Sequence, residues 1–338
     1  MYNNYTTDKG QLQEVLEDYK LVNGRQKRIK WETHKDSATK LADSYSRLGL
    51  RSKAKRVDSC GNYLVFARTD EGLKLQHAKF CKIRLCPMCA WRRSLKIFAQ
   101  TSKIMDCYDQ LNPTHKYIFL TLTCRNVVGN ELSNQIDRLS NAWRNMVRYA
   151  DVFRGQVSGW FRALEVTHNL QVDTYHPHYH CILAVSDSYF TGHDYVSQPD
   201  WIRLWRKYLC VDYDPFVDVR LLRGGKSGVA EVSKYAAKPA DYLIVDDNYN
   251  IDIAQTDRAV AVLDSALHKR RLVAYGGEFK RLHKVLDLDD IDKGDLIHID
   301  DDSVRADVGQ ALYIYHWHVG YRRYVLADVQ QFDKYCDD

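Results

Sequence analysis

The sequence predicts an α+β fold: a central antiparallel sheet with flanking helices, preceded by a ribbon-like cysteine segment. Three observations predict it. From about residue 115 to residue 238 the apolar pattern switches between period two and period 3.6, in the order β-α-β-β-α-β-α. Two of those strands are separated only by a short polar turn, so they run antiparallel, and the helices are expected on one side of the sheet. Ahead of them, four cysteines cluster between residues 60 and 89.

Each element has its own signal. Residues 1–55 read as a basic, partly helical region carrying the run "NGRQKRIK" at Asn23–Lys30. The segment 56–100 holds the cysteine cluster. "HKYIFLTLTCRNV" (His115–Val127) reads as a strand, rich in β-branched and aromatic residues and alternating through Thr121 and Thr123. Leu132, Ile136, Leu139, Trp143, Met146 and Val147 then form one helical stripe. "GWFRALEVTH" (Gly159–His168) and the histidine-rich stretch Tyr175–Val185 read as paired strands around "NLQVDTY". Asp200–Leu209 reads as a helix, Phe216–Leu222 as a strand, and Gly228–Lys238 as a helix stopped by Pro239. The boundaries 110–245 enclose this unit. Residues 246–338 follow as a C-terminal region, with a helix around "DRAVAVLDSALHKRRL" and an acidic tail.

Composition narrows the function classes. The 338 residues are 45% hydrophobic and 28% charged, and no run of about 18 apolar residues could span a bilayer. The first twenty residues lack the apolar core of a secretory signal, so the cytoplasm is the expected location and no membrane partner is expected. Charge is uneven. Residues 1–100 carry 21 Lys and Arg against 10 Asp and Glu, whereas residues 286–338 carry 5 against 13. The basic front implies a polyanionic partner; the acidic end implies self-regulation or a basic partner.

Nine cysteines in such a chain point to thiols or metal rather than disulfides. Cys86 and Cys89 form a CxxC pair, and Cys60 and Cys81 complete a four-sulfur set suited to structural Zn²⁺. A redox CxxC would need a thioredoxin-like strand-to-helix setting, which is absent. His77 could stand in for an outer cysteine. The segment between the cysteines reads as a hairpin with an "EG" turn, making the whole zinc-ribbon-like. "WRRSLK" follows at once, so Arg92, Arg93 and Lys96 are expected to form a DNA-binding face.

His176, His178 and His180 occupy alternate positions, which places them on one face of a strand. His178 and His180 suit a divalent cation acting as a Lewis acid. A turn centred near Val172 sets Glu165 almost opposite His180, as a third ligand; His176 competes for that role. Glu231, Tyr235 and Lys238 follow at i, i+4 and i+7, giving one helix face a proton acceptor, a nucleophile and a cation.

Three motifs thus occur in order: "FLTLT" (Phe119–Thr123), "HPHYH" (His176–His180) and "EVSKYAAK" (Glu231–Lys238), after a cysteine segment ending "CPMCAWRR". Together they resemble the rolling-circle replication initiators of small bacterial plasmids, within the HUH endonuclease superfamily. The resemblance runs from about Cys60 to Tyr242 and does not reach the first 55 residues. It implies an HUH-type nicking and joining domain over 110–245. It assigns His178 and His180 to Mg²⁺ or Mn²⁺, Tyr235 to attack on a DNA phosphodiester with a 5′-phosphotyrosine intermediate, and Glu231 to the terminating step. Origin DNA is the implied partner, as a single-stranded loop with flanking duplex, together with a host helicase and single-strand binding protein. A relaxase or transposase using the same chemistry is the nearer alternative, and a non-catalytic zinc-ribbon DNA-binding regulator the more distant one.

Overall fold

The alternation of two long neighbouring strands decides which side chains meet. The computed structural model describes residues 4–6, 12–22, 24–70, 72–190, 195–222, 228–230, 233, 237–246, 248, 250–299 and 311–331. The chain divides into two units: residues 1–92 with 295–338, and residues 93–294.

In the second unit the described residues build an antiparallel sheet in the order β11-β7-β10-β9-β12, with β8 (Val127–Val128) against β10. Its centre is the hairpin of β9 (Val157–Asn169) and β10 (Thr174–Val185). On the far side of β10 lies β7 (Lys116–Leu122), followed by β11 (Val217–Leu221), while β12 (Val273–Gly277) borders β9. Even-numbered residues of β10 point to one face and odd-numbered ones to the other. On the even face, Ile182 and Ala184 join Phe119, Phe161 and Ala163 in a core closed by Ile104, Met105 and Tyr108 of α3 (Pro87–Leu111) and Phe279 and Leu282 of α8 (Glu278–Val285).

The odd face is covered too. Tyr179 donates or accepts a 3.0 Å hydrogen bond with Ser140 and meets Trp143 edge-on, both on α4 (Leu132–Tyr149). The stripe expected on α4 is the buried one: Leu132, Ile136, Leu139, Trp143 and Met146 all face inward. Helices therefore flank both faces, not one. The single-sided expectation fails because β10 is apolar on its odd face as well, through Tyr179, Cys181 and Leu183. A short helix α5 (Asp151–Gly155) leads into β9. The next helix, α6 (Gln198–Leu209), starts where expected, capped by Ser197 and Asp200 in a reciprocal box. The helix expected around "DRAVAVLDSALHKRRL" is α7 (Ile253–Ala266).

In the first unit the sheet order is β14-β13-β5-β6. Here β5 (Tyr63–Thr69) and β6 (Gly72–Ala78) form the expected hairpin, and Gly72, at the start of β6, has φ +118°. The acidic C-terminal region contributes β13 (Ala311–His318), which pairs with β5, and β14 (Arg323–Gln331). Helices α1 (Trp31–Arg47) and α2 (Arg51–Asp58) precede the hairpin. Ahead of them the short strands β1 (Asn4–Thr6) and β2 (Leu12–Glu14) pair, as do β3 (Asp18–Val22) and β4 (Arg25–Ile29). Arg25–Ile29 of the basic run thus form a strand, and α1 and α2 are the helices of this region. Val22 pairs with Arg25 and Gly24 has φ +73°, the backbone that an Asn-Gly hairpin connection requires. Among the described residues, no helix is long and apolar enough to cross a membrane.

Candidate functional site

Among the described residues, two groups of side chains could each hold a metal ion: Cys60, Cys81, Cys86 and Cys89, and Glu165, His178 and His180. Within each group the ligand atoms lie within 4.8 Å of one another.

The cysteine group is made by local structure in the first unit. Cys60 and Cys81 flank the β5–β6 hairpin, while Cys86 and Cys89 sit at the start of α3. The CxxC pair thus opens a helix. All four are buried. The Sγ of Cys89 lies 3.5 Å from that of Cys60 and 3.6 Å from that of Cys81, too far for a disulfide. Backbone amides donate to the sulfurs: Cys81 to Cys60 at 3.3 Å, and Lys82 to Cys89 at 3.2 Å. Burial pushes the Cys86 thiol well above its ordinary pKa, and the neighbouring thiols, Cys81 first, do the same to Cys60. Four sulfurs so crowded can ionise together only around a cation, which fits zinc. His77 stays out of the group and shares a 2.9 Å hydrogen bond with the Tyr63 hydroxyl.

Arg92, Arg93 and Lys96, expected to face DNA, are buried. Arg92 donates to the carbonyls of Leu296 and Ile297, both at 2.8 Å, and lies over the rings of Trp31 and Trp91. Lys96 is 1% exposed, and its Nζ reaches Asp289 Oδ2 at 2.6 Å and the Asp290 carbonyl at 3.1 Å. These charges hold the protein's own C-terminal segments, and part of the acidic region is their counterpart. The correction has a plain cause: α3 is a long helix whose inner side begins at these positions.

In the second unit the hairpin register pairs His178 with Glu165 and His180 with Ala163. Glu165 therefore lies opposite His178, two residues along β10 from the partner the sequence gave it, and the turn centres between Gln171 and Val172. The convergence survives that shift: Glu165 Oε2 is 3.1 Å from Nε2 of His180 and 3.6 Å from Nε2 of His178. The other ring nitrogens are held in place. Nδ1 of His178 donates to the His176 carbonyl at 3.1 Å, and Nδ1 of His180 lies 3.2 Å from the Thr121 hydroxyl. Because a carbonyl only accepts, Nδ1 of His178 donates there, and its Nε2 faces the shared point. Such anchoring is what a ligating imidazole needs. Thr121, in the "FLTLT" strand, had no role in the sequence reading; its pairing with His180 across β7 and β10 supplies one. His176 provides its carbonyl, while its ring is outside the group of three.

Lys238 completes the surroundings, with Nζ 2.6 Å from Glu165 Oε1. Burial alone would raise the Glu165 carboxyl, but hydrogen bonds from His178, His180 and Lys238 hold it far below the usual carboxylate range. Glu231 and Tyr235 lie outside the described residues. Of the expected helix, Gly228–Ala230 are helical and Ser233 returns its amide to Val229. Pro239 opens a short turn, Pro239–Asp241, in which Asp241 accepts the Lys238 amide at 2.7 Å.

Residues 72–325 match the Rep_1 family, described as "Replication protein". A "Protein rep" of Bacillus amyloliquefaciens is 38% identical, over 92% of this chain and 97% of its own length. That of Streptococcus pneumoniae is 40% identical, over 83% and 87%, and that of Lactiplantibacillus plantarum 34%, over 86% and 92%. No solved structure gives a significant match. The alignments span most of each relative, and the family match takes in Cys81, Cys86, Cys89, Glu165, His178 and His180, which supports a plasmid replication initiator. The chain belongs to the Rep family of replication proteins.

Proposed function

We propose that this protein initiates rolling-circle replication of a bacterial plasmid by nicking and rejoining single-stranded origin DNA in a metal-dependent reaction. The observation that carries the proposal is the contact between Lys238 and Glu165. It ties the sequence motif that contains Tyr235 to the group of His178, His180 and Glu165.

A divalent cation, Mg²⁺ or Mn²⁺, held by those three residues would supply Lewis-acid chemistry, drawing charge from the scissile phosphate. The chain's own groups do the rest. The Tyr235 phenolate oxygen attacks phosphorus, the P–O3′ bond breaks, and the leaving 3′ oxygen takes up a proton to become a primer end. The 5′-phosphotyrosine so formed keeps the bond energy for rejoining. Lys238 keeps Glu165 ionised and eases loss of the phenol proton. Glu231 serves the terminating step, taking a proton from water or from a second attacking hydroxyl.

Duplex contact falls to the first unit. With Arg92, Arg93 and Lys96 engaged inside the protein, the basic β3–β4 hairpin takes their place: Lys20 pairs directly with Lys27, and both are exposed beside Arg25. Like charges opposed on a ribbon are unfavourable alone and favourable against phosphates. The four cysteines hold structural Zn²⁺ that fixes the neighbouring hairpin to α3. A host helicase and single-strand binding protein would act on the nicked plasmid in the bacterial cytoplasm.

Cleavage of a labelled single-stranded origin oligonucleotide tests the reading. It should need Mn²⁺ or Mg²⁺ and fall by at least about a hundredfold in Glu165→Gln and His180→Ala. Cleavage that persists in chelator, or in both variants, would discard the metal site. Tight DNA binding with no cleavage on any origin would favour a non-catalytic regulator.

A further inference from the structure

On the other face of the sheet from Glu165 lies a cavity of about 380 Å³ lined by Trp143, Arg144, Trp160, Arg162, Arg270 and Arg271, among others. Strand alternation fixes the separation: Arg162 and Glu165 are three residues apart on β9, so they point to opposite faces. Nothing in the proposed nicking reaction uses this cavity.

Its donor set is unusual. Arg162 is only 8% exposed, and its guanidinium stacks 4.2 Å from the centroid of Tyr179. Yet its Nε and Nη1 are buried without a hydrogen-bond partner, as is the indole nitrogen of Trp143. Leaving two edges of a buried cation unpaired is costly, and the cost vanishes when an anion occupies them. Around them the charge is of one sign. Arg270 is neutralised by Asp137 and held by Ser133, whereas Arg144 bonds only the neutral Asn141 side chain and Arg271 extends its charge also to Asp290. Among the described residues, no carboxylate lines the cavity. The two indoles meet edge to face at 5.1 Å, and Gly276 leaves room for Trp160, since a Cβ there would collide with its ring.

We propose that this cavity binds a nucleotide, with a phosphoryl group held by Arg162 together with Arg144 and Arg271, and the base against the tryptophans. A guanidinium fork matches phosphate oxygens two at a time, and indole faces accept any base. The volume is of the size that small-molecule sites use. The same chemistry is offered by a free nucleotide or by one residue of a DNA strand.

The test titrates the full-length protein, without divalent metal, with dAMP and separately with a short unphosphorylated oligothymidylate, following tryptophan fluorescence and calorimetry. It needs no cleavage, so its result is independent of the nicking proposal. Two variants are compared: Arg162→Gln, and the double variant Arg144→Ala with Arg271→Ala, whose exposed side chains leave the core intact. The proposal expects affinity to fall by at least about tenfold in the double variant, and in Arg162→Gln where it folds. Loss for dAMP identifies a free nucleotide as the occupant; loss for the oligomer alone identifies the DNA strand. No binding of either probe up to about 10 mM, or unchanged affinity in the double variant, overturns it.

Discussion

Glu165 Oε1 lies 2.6 Å from Nζ of Lys238, while Oε2 of the same carboxylate faces His178 and His180. One oxygen is thus fixed by a lysine from the tyrosine motif and the other is offered to the histidine pair. Removing the lysine should loosen the carboxylate without deleting a ligand. Lys238→Met is expected to lower nicking by about 10- to 100-fold, with Lys238→Arg recovering part of it. Equal activity in Lys238→Met and the parent would show that the contact has no role in the reaction.

The cysteine group should carry metal whether or not DNA is cut. One zinc per chain is expected by elemental analysis, with protons released on binding because the buried thiols start protonated. Cys86→Ser or prolonged chelation should remove the zinc and lower the melting temperature of the first unit. A metal-free protein with an unchanged melt would count against the assignment.

Basic residues should separate into two classes. Arg92→Ala removes a buried cation that spans Trp31, Trp91 and two carbonyls, and a loss of about 3 kcal/mol in stability is expected with little change in the salt dependence of DNA binding. Lys20→Gln and Lys27→Gln should do the reverse. Each is expected to reduce the slope of log K against log salt by about one, leaving the melt alone. A salt slope altered by Arg92→Ala and by neither lysine would restore the original basic face.

Asp18 gives the first unit a pH dependence. Its carboxyl accepts a 2.8 Å hydrogen bond from the Trp31 indole, and burial pushes its pKa up to about 6. Between the unfolded value of 3.8 and about 6 the folded state holds a proton that the unfolded state has lost. Stability from this group therefore declines as pH rises through that window, by an amount on the order of 3 kcal/mol. Asp18→Asn keeps an acceptor for the indole, so it should stabilise the protein at pH 7 and make no difference near pH 4. A gain of the same size at both values would contradict the assignment.

Much of the site was legible because strand alternation and hairpin pairing are local rules. Histidines at 178 and 180 had to share a face, and a carboxylate seven residues before the turn had to approach them; only the partner was two residues off. Thr121 was harder, since its contact with His180 joins residues 59 apart in the chain. The burial of Lys96 was harder still, because its partner Asp289 is 193 residues away and a helix stripe looks solvated until something covers it. The Asn-Gly pair in the sequence between Val22 and Arg25 was a readable hairpin signal, outweighed by the surrounding charge. Strands β13 and β14 sit in a stretch dominated by its aspartates, although "ALYIYHWH" has the aromatic and β-branched content of a strand.

The most direct test of the central claim is covalent. The full-length protein is incubated with Mn²⁺ and a labelled single-stranded origin oligonucleotide, denatured, and digested, and the DNA-bearing peptide is identified by mass. Nicking through a tyrosine predicts an adduct that survives denaturing electrophoresis, maps to Tyr235 and disappears in Tyr235→Phe. Cleavage that proceeds unchanged in Tyr235→Phe, or an adduct on another residue, would contradict it.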